Sequence, residues 1–270
     1  VVGPPGPIGP KGDTGVPGPP GPAGPPGLPG SSGPPGAGVD RAGIFHVDDY
    51  GADPTGATLS DTAVAAARAA MGDGAGVLEF GAGTYQLWKG LNTNWGTDLR
   101  PLQKVRGQGN GLTTIDFKGP GACFEFRYPN WTFNTAGQSN PGVSDLQIYG
   151  WSNVNNNSYG IRYGDVAKMQ IKNVNVVGFL NPGCVGLYGD NQIAWSERAN
   201  IEMEVEQCTT CFLFEGCMPN SMQTLGTSFD YSVYKLTFVV RENHDAFVLR
   251  KKVGGINTTM NGVELHLTGN

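Results

Sequence analysis

From about Leu102 onward the chain is a succession of short segments in which apolar and polar residues alternate. That is the period-2 pattern of strands with one face against a core. Two kinds of segment take turns. The first comprises Cys123–Phe126, Gly160–Tyr163, Val185–Tyr188, Cys211–Phe214 and Ala246–Leu249; the second comprises Leu146–Ile148, Met169–Ile171, Ile201–Val205, Lys235–Val239 and Val263–Leu267. Each kind returns after roughly 25 to 37 residues, with Asn/Gly turns between, and a pair recurring at that interval predicts the stacked coils of a β-solenoid. An antiparallel sandwich could use the same residues, but nothing would order its strands in a recurring pair.

Upstream the pattern changes. Ile44–Val47 predicts a short strand and Asp48–Gly56 a run of turns. A helix follows from about Asp61 to Met71, with Ser60 as its N-cap, Gly72 as its stop, and Ala63, Val64, Ala67, Ala70 and Met71 on one apolar face. Val77–Phe80 and Thr84–Trp88 then predict two strands around the Gly81-Ala82-Gly83 turn.

The first residues carry a third period. Glycine occupies every third position from Gly3 to Gly36, and most of the 20 prolines of the chain lie among these glycines. Three polyproline II strands pack around a common axis only where the axial residue lacks a side chain, and proline presets the backbone. A Gly/Pro-rich linker has no need of a strict period. The segment therefore predicts a collagen-like triple helix, a rod on the order of 100 Å long, and hence a homotrimer. The period breaks at Gly36-Ala37-Gly38. Three regions follow: 1–38, the Gly-X-Y segment; 39–101, an N-terminal cap; and 102–270, the rungs. Val1-Val2-Gly3 begins within the repeat and shows neither a signal peptide nor an initiator Met, so a longer natural chain is expected.

Charge narrows the partners. A net charge of −5 with no Lys/Arg cluster suits nucleic acid poorly, since such binding neutralises phosphates. No apolar run approaches the roughly 20 residues that span a bilayer, so no membrane insertion is expected. Of five cysteines, Cys208, Cys211 and Cys217 could supply three zinc ligands with Cys184 or His244 as a fourth. A second paired spacing is missing, however, and the set with Cys123 reads as small buried residues of a β-rich core. No metal or cofactor is expected.

Asp49-Tyr50-Gly51-Ala52 with Gly56, Ser60-Asp61-Thr62, Gly76-Val77-Leu78-Glu79-Phe80 and Gly83-Thr84-Tyr85 resembles the opening of pectate-lyase-like right-handed β-helix proteins. Val105-Arg106-Gly107-Gln108-Gly109 with Thr113-Thr114-Ile115 resembles the first rung that follows it. Gly81-Ala82 stands where the family commonly has proline. The resemblance implies an all-β fold: a right-handed parallel β-helix whose N-terminal end is capped by the α-helix, preceded here by the collagen-like segment. It also implies kinship with bacteriophage tail spikes and tail fibres, trimers that bind host-surface polysaccharide.

The aspartate groups and Gly-His-Gly and Arg-Ile-Lys motifs of polygalacturonase-type relatives are missing, and no calcium-binding set of the pectate-lyase type can be pointed to. Glycoside hydrolysis needs two carboxylates facing one groove; Asp165, Asp190, Glu197, Glu202, Glu204, Glu215, Asp230 and Glu242 are borne on rungs, and spacing alone does not say which converge. Glu202, Glu204 and Glu206 alternate with apolar residues and read as a solvated face. His244-Asp245 beside Arg241-Glu242 is chemically varied, but a polar turn explains it as well. No catalytic residue is therefore assigned. Tyr149, Trp151, Tyr163, Tyr188 and Trp195 form a candidate sugar-stacking platform, although aromatic residues also fill cores and trimer interfaces. The expected function is a non-catalytic, trimeric component of a phage tail appendage, extracellular on the virion. It would be joined to other tail proteins and bind host-surface polysaccharide or cell-wall glycan. The alternatives are a polysaccharide depolymerase on the same scaffold and a bacterial surface filament.

Overall fold

A computed structural model describes residues 1–18, 43–92, 99–100, 102–127, 140–192, 196–216, 227–240, 244–251, 258–260 and 262–269. The chain divides into two compact units, Val1–Pro34 and Pro35–Asn270. In the first, residues 1–18 are exposed and carry neither helix nor strand. A Cβ added at any glycine from Gly3 to Gly18 would meet nothing within 4 Å in the single chain.

The second unit is a parallel β-solenoid. It opens with β1 (Ile44–His46), β2 (Thr55–Leu59), α1 (Asp61–Met71), β3 (Gly76–Glu79), β4 (Gly83–Leu87), β5 (Gln103–Arg106) and β6 (Thr113–Phe117). The rungs continue as β7 (Gly121–Phe126), β8 (Gly142–Tyr149), β9 (Ser158–Tyr163), β10 (Gln170–Val177), β11 (Val185–Asn191), β12 (Ser196–Glu197) and β13 (Asn200–Glu206). The last are β14 (Thr210–Gly216), β15 (Thr227–Asp230), β16 (Val233–Val239), β17 (Asp245–Lys251), β18 (Thr258–Thr259) and β19 (Glu264–Gly269).

The two kinds of segment in the sequence are two sheets. All five of the first kind lie in the five-stranded sheet β17-β14-β11-β9-β7, and all five of the second in the sheet that runs β1-β3-β5-β8-β10-β13-β16-β19. The third sheet, β12-β15-β18, has strands of two to four residues, too short for an alternation to be visible in sequence.

Parallel in-register pairing stacks like on like. In the large sheet Leu78, Val105, Val143, Ile171, Ile201 and Tyr234 lie opposite one another in turn, and each is at most 1 % exposed. In the five-stranded sheet Phe124, Ile161, Leu187, Phe212 and Phe247 form the matching ladder. Each inward side chain is thus covered by its counterparts one rung away, which is how a solenoid builds one continuous core from units that could not bury their apolar face alone. Asparagines tie the turns together: Asn153 donates to the Gly119 carbonyl at 2.8 Å, Asn155 to Lys118 at 2.8 Å and Asn181 to Asn153 at 2.7 Å.

Helix α1 packs against β1 and β3, the first strands of the large sheet. Its buried face is Ala63, Val64, Ala67, Arg68 and Met71. Ala70, expected on that face, is exposed. Ser60 precedes the helix but makes no side-chain capping bond; its Oγ instead accepts the Asp53 backbone N–H at 2.9 Å. The turn-rich stretch before it holds a 3-10 turn, Val47–Tyr50, and the start of strand β2.

Candidate functional site

Between the inward residues of the five-stranded sheet stand outward ones. Glu125, Arg162, Tyr188, Leu213 and Val248 face one another across β7, β9, β11, β14 and β17, and two residues on Asp190, Glu215 and Arg250 make a second column. Five rungs thereby bring together residues more than 120 positions apart, on one face of one sheet. Asn157, Tyr159, Arg162, Gly183, Tyr188, Leu213, Glu215 and Arg250 line a depression of about 300 Å³ on this face.

The charges interlock. Arg162 reaches Glu125 at 3.2 Å through one terminal nitrogen, and donates to Asp190 through the other and through Nε, the latter at 3.1 Å. Arg127 lies 3.4 Å from Glu125 and also donates to Gln192, whose amide donates to Asp190 at 2.9 Å. Glu215 accepts from the Tyr188 hydroxyl and, at 2.7 Å, from Arg250 Nε. Three carboxylates that are almost wholly buried, Glu125, Asp190 and Glu215, thus meet three guanidiniums. Such groups need a partner in low dielectric, and these have one.

Aromatic rings complete the face. Tyr159 and Tyr188 lie 4.9 Å apart between centroids, tilted by 56°, with the Arg162 guanidinium 5.9 Å and 5.3 Å from their centres. Burial opposes the Arg162 charge, but the Glu125 and Asp190 carboxylates outweigh it and hold the proton more firmly than usual. Burial, then the Asp190 charge and the bond to Glu215, push the Tyr188 phenol far above its ordinary range. Tyr188 is therefore neutral and a poor proton acceptor, the opposite of what a general base requires.

The five aromatic residues of the expected platform do not share one surface. Tyr188 is in the depression. Tyr149 ends β8 half-buried, opposite Asp116 and Val177 of the large sheet. Trp151, in the turn after β8, is 47 % exposed and packs against Gly178, where a Cβ would stand 2.6 Å from its ring. Tyr163 does not belong to a platform: it is fully buried, its hydroxyl 3.2 Å from that of Tyr234 and its ring edge-on to Phe229. It occupies an inward position, opposite Gly189. Trp195 lies outside the described residues.

Of the rung-borne acids, Asp190 and Glu215 come together. Glu197 and Asp230 pair on the third sheet, Asp165 is buried and accepts the Gln192 backbone N–H at 3.0 Å, and Glu202 and Glu204 stand on the outer face of the large sheet. Glu242, Arg241 and Cys217 fall outside the described residues. Cys123, Cys184, Cys208 and Cys211 are buried, and burial raises each thiol, that of Cys211 to about 11. Sequence reasoning missed Glu125, Tyr159, Arg162 and Arg250 as members of the site. The alternation of the first kind of segment allows Glu125, Arg162 and Tyr188 to share an outward column, but rung register is what places Tyr188 in it.

No family model and no curated protein sequence matches the chain. Among solved structures, it is similar to ORF18 of Geobacillus virus E2, with 15 % identity over 82 % of this chain and 48 % of that one, at a TM-score of 0.53. It is also similar to the A-module of the Azotobacter vinelandii mannuronan C-5 epimerase AlgE6 (16 % identity, 83 % and 68 % covered, TM-score 0.48). A third is PfbA, a surface adhesin of Streptococcus pneumoniae (16 %, 82 % and 62 %, TM-score 0.46). The chain spans about half the length of the viral protein, and at such identity the likeness to it is one of fold.

Proposed function

We propose that the chain binds a surface glycan through the outer face of its five-stranded sheet and does not cut it. The observation that carries this is the closed ion-pair network: Asp190 is engaged by Arg162, and Glu215 by Arg250 and Tyr188. A hydrolase needs one carboxyl to donate a proton and a second to attack or to activate water. Here Asp190 Oδ2 is turned to a guanidinium and an amide, and the two Glu215 oxygens to a phenol and a guanidinium. The same groups form a charge-balanced, hydrogen-bonding wall beside two tyrosine rings, which suits the hydroxyls and apolar C–H faces of a sugar.

The Gly-X-Y segment supplies the rest of the proposal. Three chains wound through residues 1–38 would carry three such faces on one stalk, and weak sites held together gain avidity by effective concentration. A stalk-borne trimer binding host polysaccharide is the design of a phage tail appendage, extracellular and attached to other tail proteins. The fold shared with ORF18 of Geobacillus virus E2 agrees with this reading.

Adsorption of the full chain to a glycan array, followed by Tyr159→Ala and Arg250→Ala, tests the site. Both variants should lose at least about tenfold in affinity while keeping the wild-type circular dichroism. Release of reducing ends or unsaturated sugars from the bound glycan, abolished by Asp190→Asn or Glu215→Gln, would overturn the proposal in favour of a depolymerase.

A further inference from the structure

The outer face of the large sheet carries a notch that the groove does not use. Two outward columns run side by side there. Lys104, Gly142 and Gln170 face one another across β5, β8 and β10, and Arg106, Ser144 and Lys172 do so two residues on. The middle rung has the smallest residues, glycine and serine, while the rungs on either side carry long polar chains. The result is a depression of about 220 Å³ with Gly142 and Ser144 as its floor. It is about 10 Å from flanking rung to flanking rung, two strand spacings. The floor at Gly142 is closed to larger residues, since a Cβ there would stand 2.8 Å from the Gln170 carbonyl oxygen.

The charges around the notch are of one sign. Lys104, Arg106 and Lys172 line it, with Gln170 at the fourth corner. The acids nearest in the columns are each engaged by a cation, Glu79 by Arg106 of the notch itself and Glu202 by Lys235. Glu79, one rung before Arg106, is buried and shared by Arg106, His46 at 3.1 Å and Gln108 at 3.1 Å; Glu202, one rung beyond Lys172, lies 3.9 Å from Lys235. The Arg106 side chain remains 43 % exposed while pinned by Glu79, so its guanidinium is held in place at the rim. In a chain of net charge −5, a concave site with two lysines beside an arginine whose charge Glu79 balances is a local excess of positive charge.

We infer that this notch is a second glycan site, selective for an anionic sugar whose carboxylate or sulfate group enters between Lys104, Arg106 and Lys172. Glu79 holds the Nε/Nη2 edge of Arg106 and so fixes the guanidinium with its Nη1 side left to meet an oxyanion. Two lysines across the notch supply flexible point charges, and the open face along the sheet leaves room for the neighbouring sugars of a polymer. The inference is independent of the groove on the five-stranded sheet and fails or stands separately.

The test is calorimetric titration of the full chain with polygalacturonate, dextran sulfate, unsubstituted dextran and sodium sulfate. Either anionic polymer, or both, should bind, which also tells carboxylate from sulfate; dextran should not compete. The double variant Lys104→Gln/Lys172→Gln should lose about tenfold or more. Ser144→Met, which fills the notch without changing charge, should do the same. Lys235→Gln, a lysine of the same face outside the notch, should leave this binding unchanged. Undiminished binding by both notch variants, or an equal loss on Lys235→Gln, would overturn the site. Inorganic sulfate bound as tightly as the polymers would overturn its assignment to a glycan.

Discussion

Asp190 and Glu215 stand directly opposite each other on adjacent rungs, yet each is held by a different arginine, Asp190 by Arg162 of the preceding rung and Glu215 by Arg250 of the following one. Two carboxylates at one strand spacing would repel strongly if left alone. The guanidiniums, arriving from opposite directions along the stack, flank the pair of carboxylates with one positive charge on either side and offset the repulsion. Stability and the proposed binding surface therefore share the same side chains.

Arg162 is the keystone of that ladder. Arg162→Ala would leave Glu125 and Asp190 buried without their principal counterion, and should cost about 3–5 kcal/mol of unfolding free energy. Equilibrium denaturation by guanidinium chloride measures it. A loss under about 1 kcal/mol would mean that Arg127 and Gln192 suffice.

Tyr163 and Trp151 should respond in opposite ways. Tyr163→Ala removes a fully buried ring and the hydroxyl contact with Tyr234, and should destabilise by about 3–5 kcal/mol. Trp151→Ala, at an exposed turn of the large sheet and outside the groove, should change stability by less than about 1 kcal/mol while leaving adsorption to glycan-bearing cells unchanged. Melting temperatures and cell-adsorption isotherms check the two variants.

Alkaline pH should loosen the core. Burial raises the Cys211 thiol from about 9 to about 11, and raises Cys123 and Cys208 as well. Below pH 9 both folded and unfolded chains keep these protons and the stability is whole. Above it the unfolded chain releases them first, so stability falls as pH rises toward 11. At pH 10 each such thiol should cost about 1 kcal/mol. Denaturation midpoints at pH 7.5 and pH 10 test this, and Cys211→Ala should flatten the difference.

The oligomeric state follows from residues 1–38. Sedimentation equilibrium at micromolar concentration should give three copies of the 28.4 kDa chain; a monomer would sink the trimer. Gly18→Asp places a side chain on the crowded axis of a triple helix. It should lower the melting temperature of the stalk while the β-solenoid transition stays where it was.

Much of the solenoid was legible in the sequence because its signals are local. Alternation is a property of five or six consecutive residues, and the return of two distinct kinds of segment separated the two long sheets before any pairing was known. The helix at Asp61–Met71 was legible for the same reason: its period and its Gly72 stop lie within a dozen residues. What local pattern could not decide is parity. Val185–Tyr188 and Gly160–Tyr163 both end on a tyrosine, yet register sets Tyr163 inward against Gly189 and Tyr188 outward against Arg162. A shift of one residue reverses the faces of a strand, and only pairing with adjacent rungs fixes it. The same holds for the groove and the notch. Glu125, Arg162, Asp190, Glu215 and Arg250 are separated by roughly one coil each, so their meeting is a consequence of stacking, and the small floor at Gly142 and Ser144 becomes a cavity only when longer side chains rise on the strands to either side.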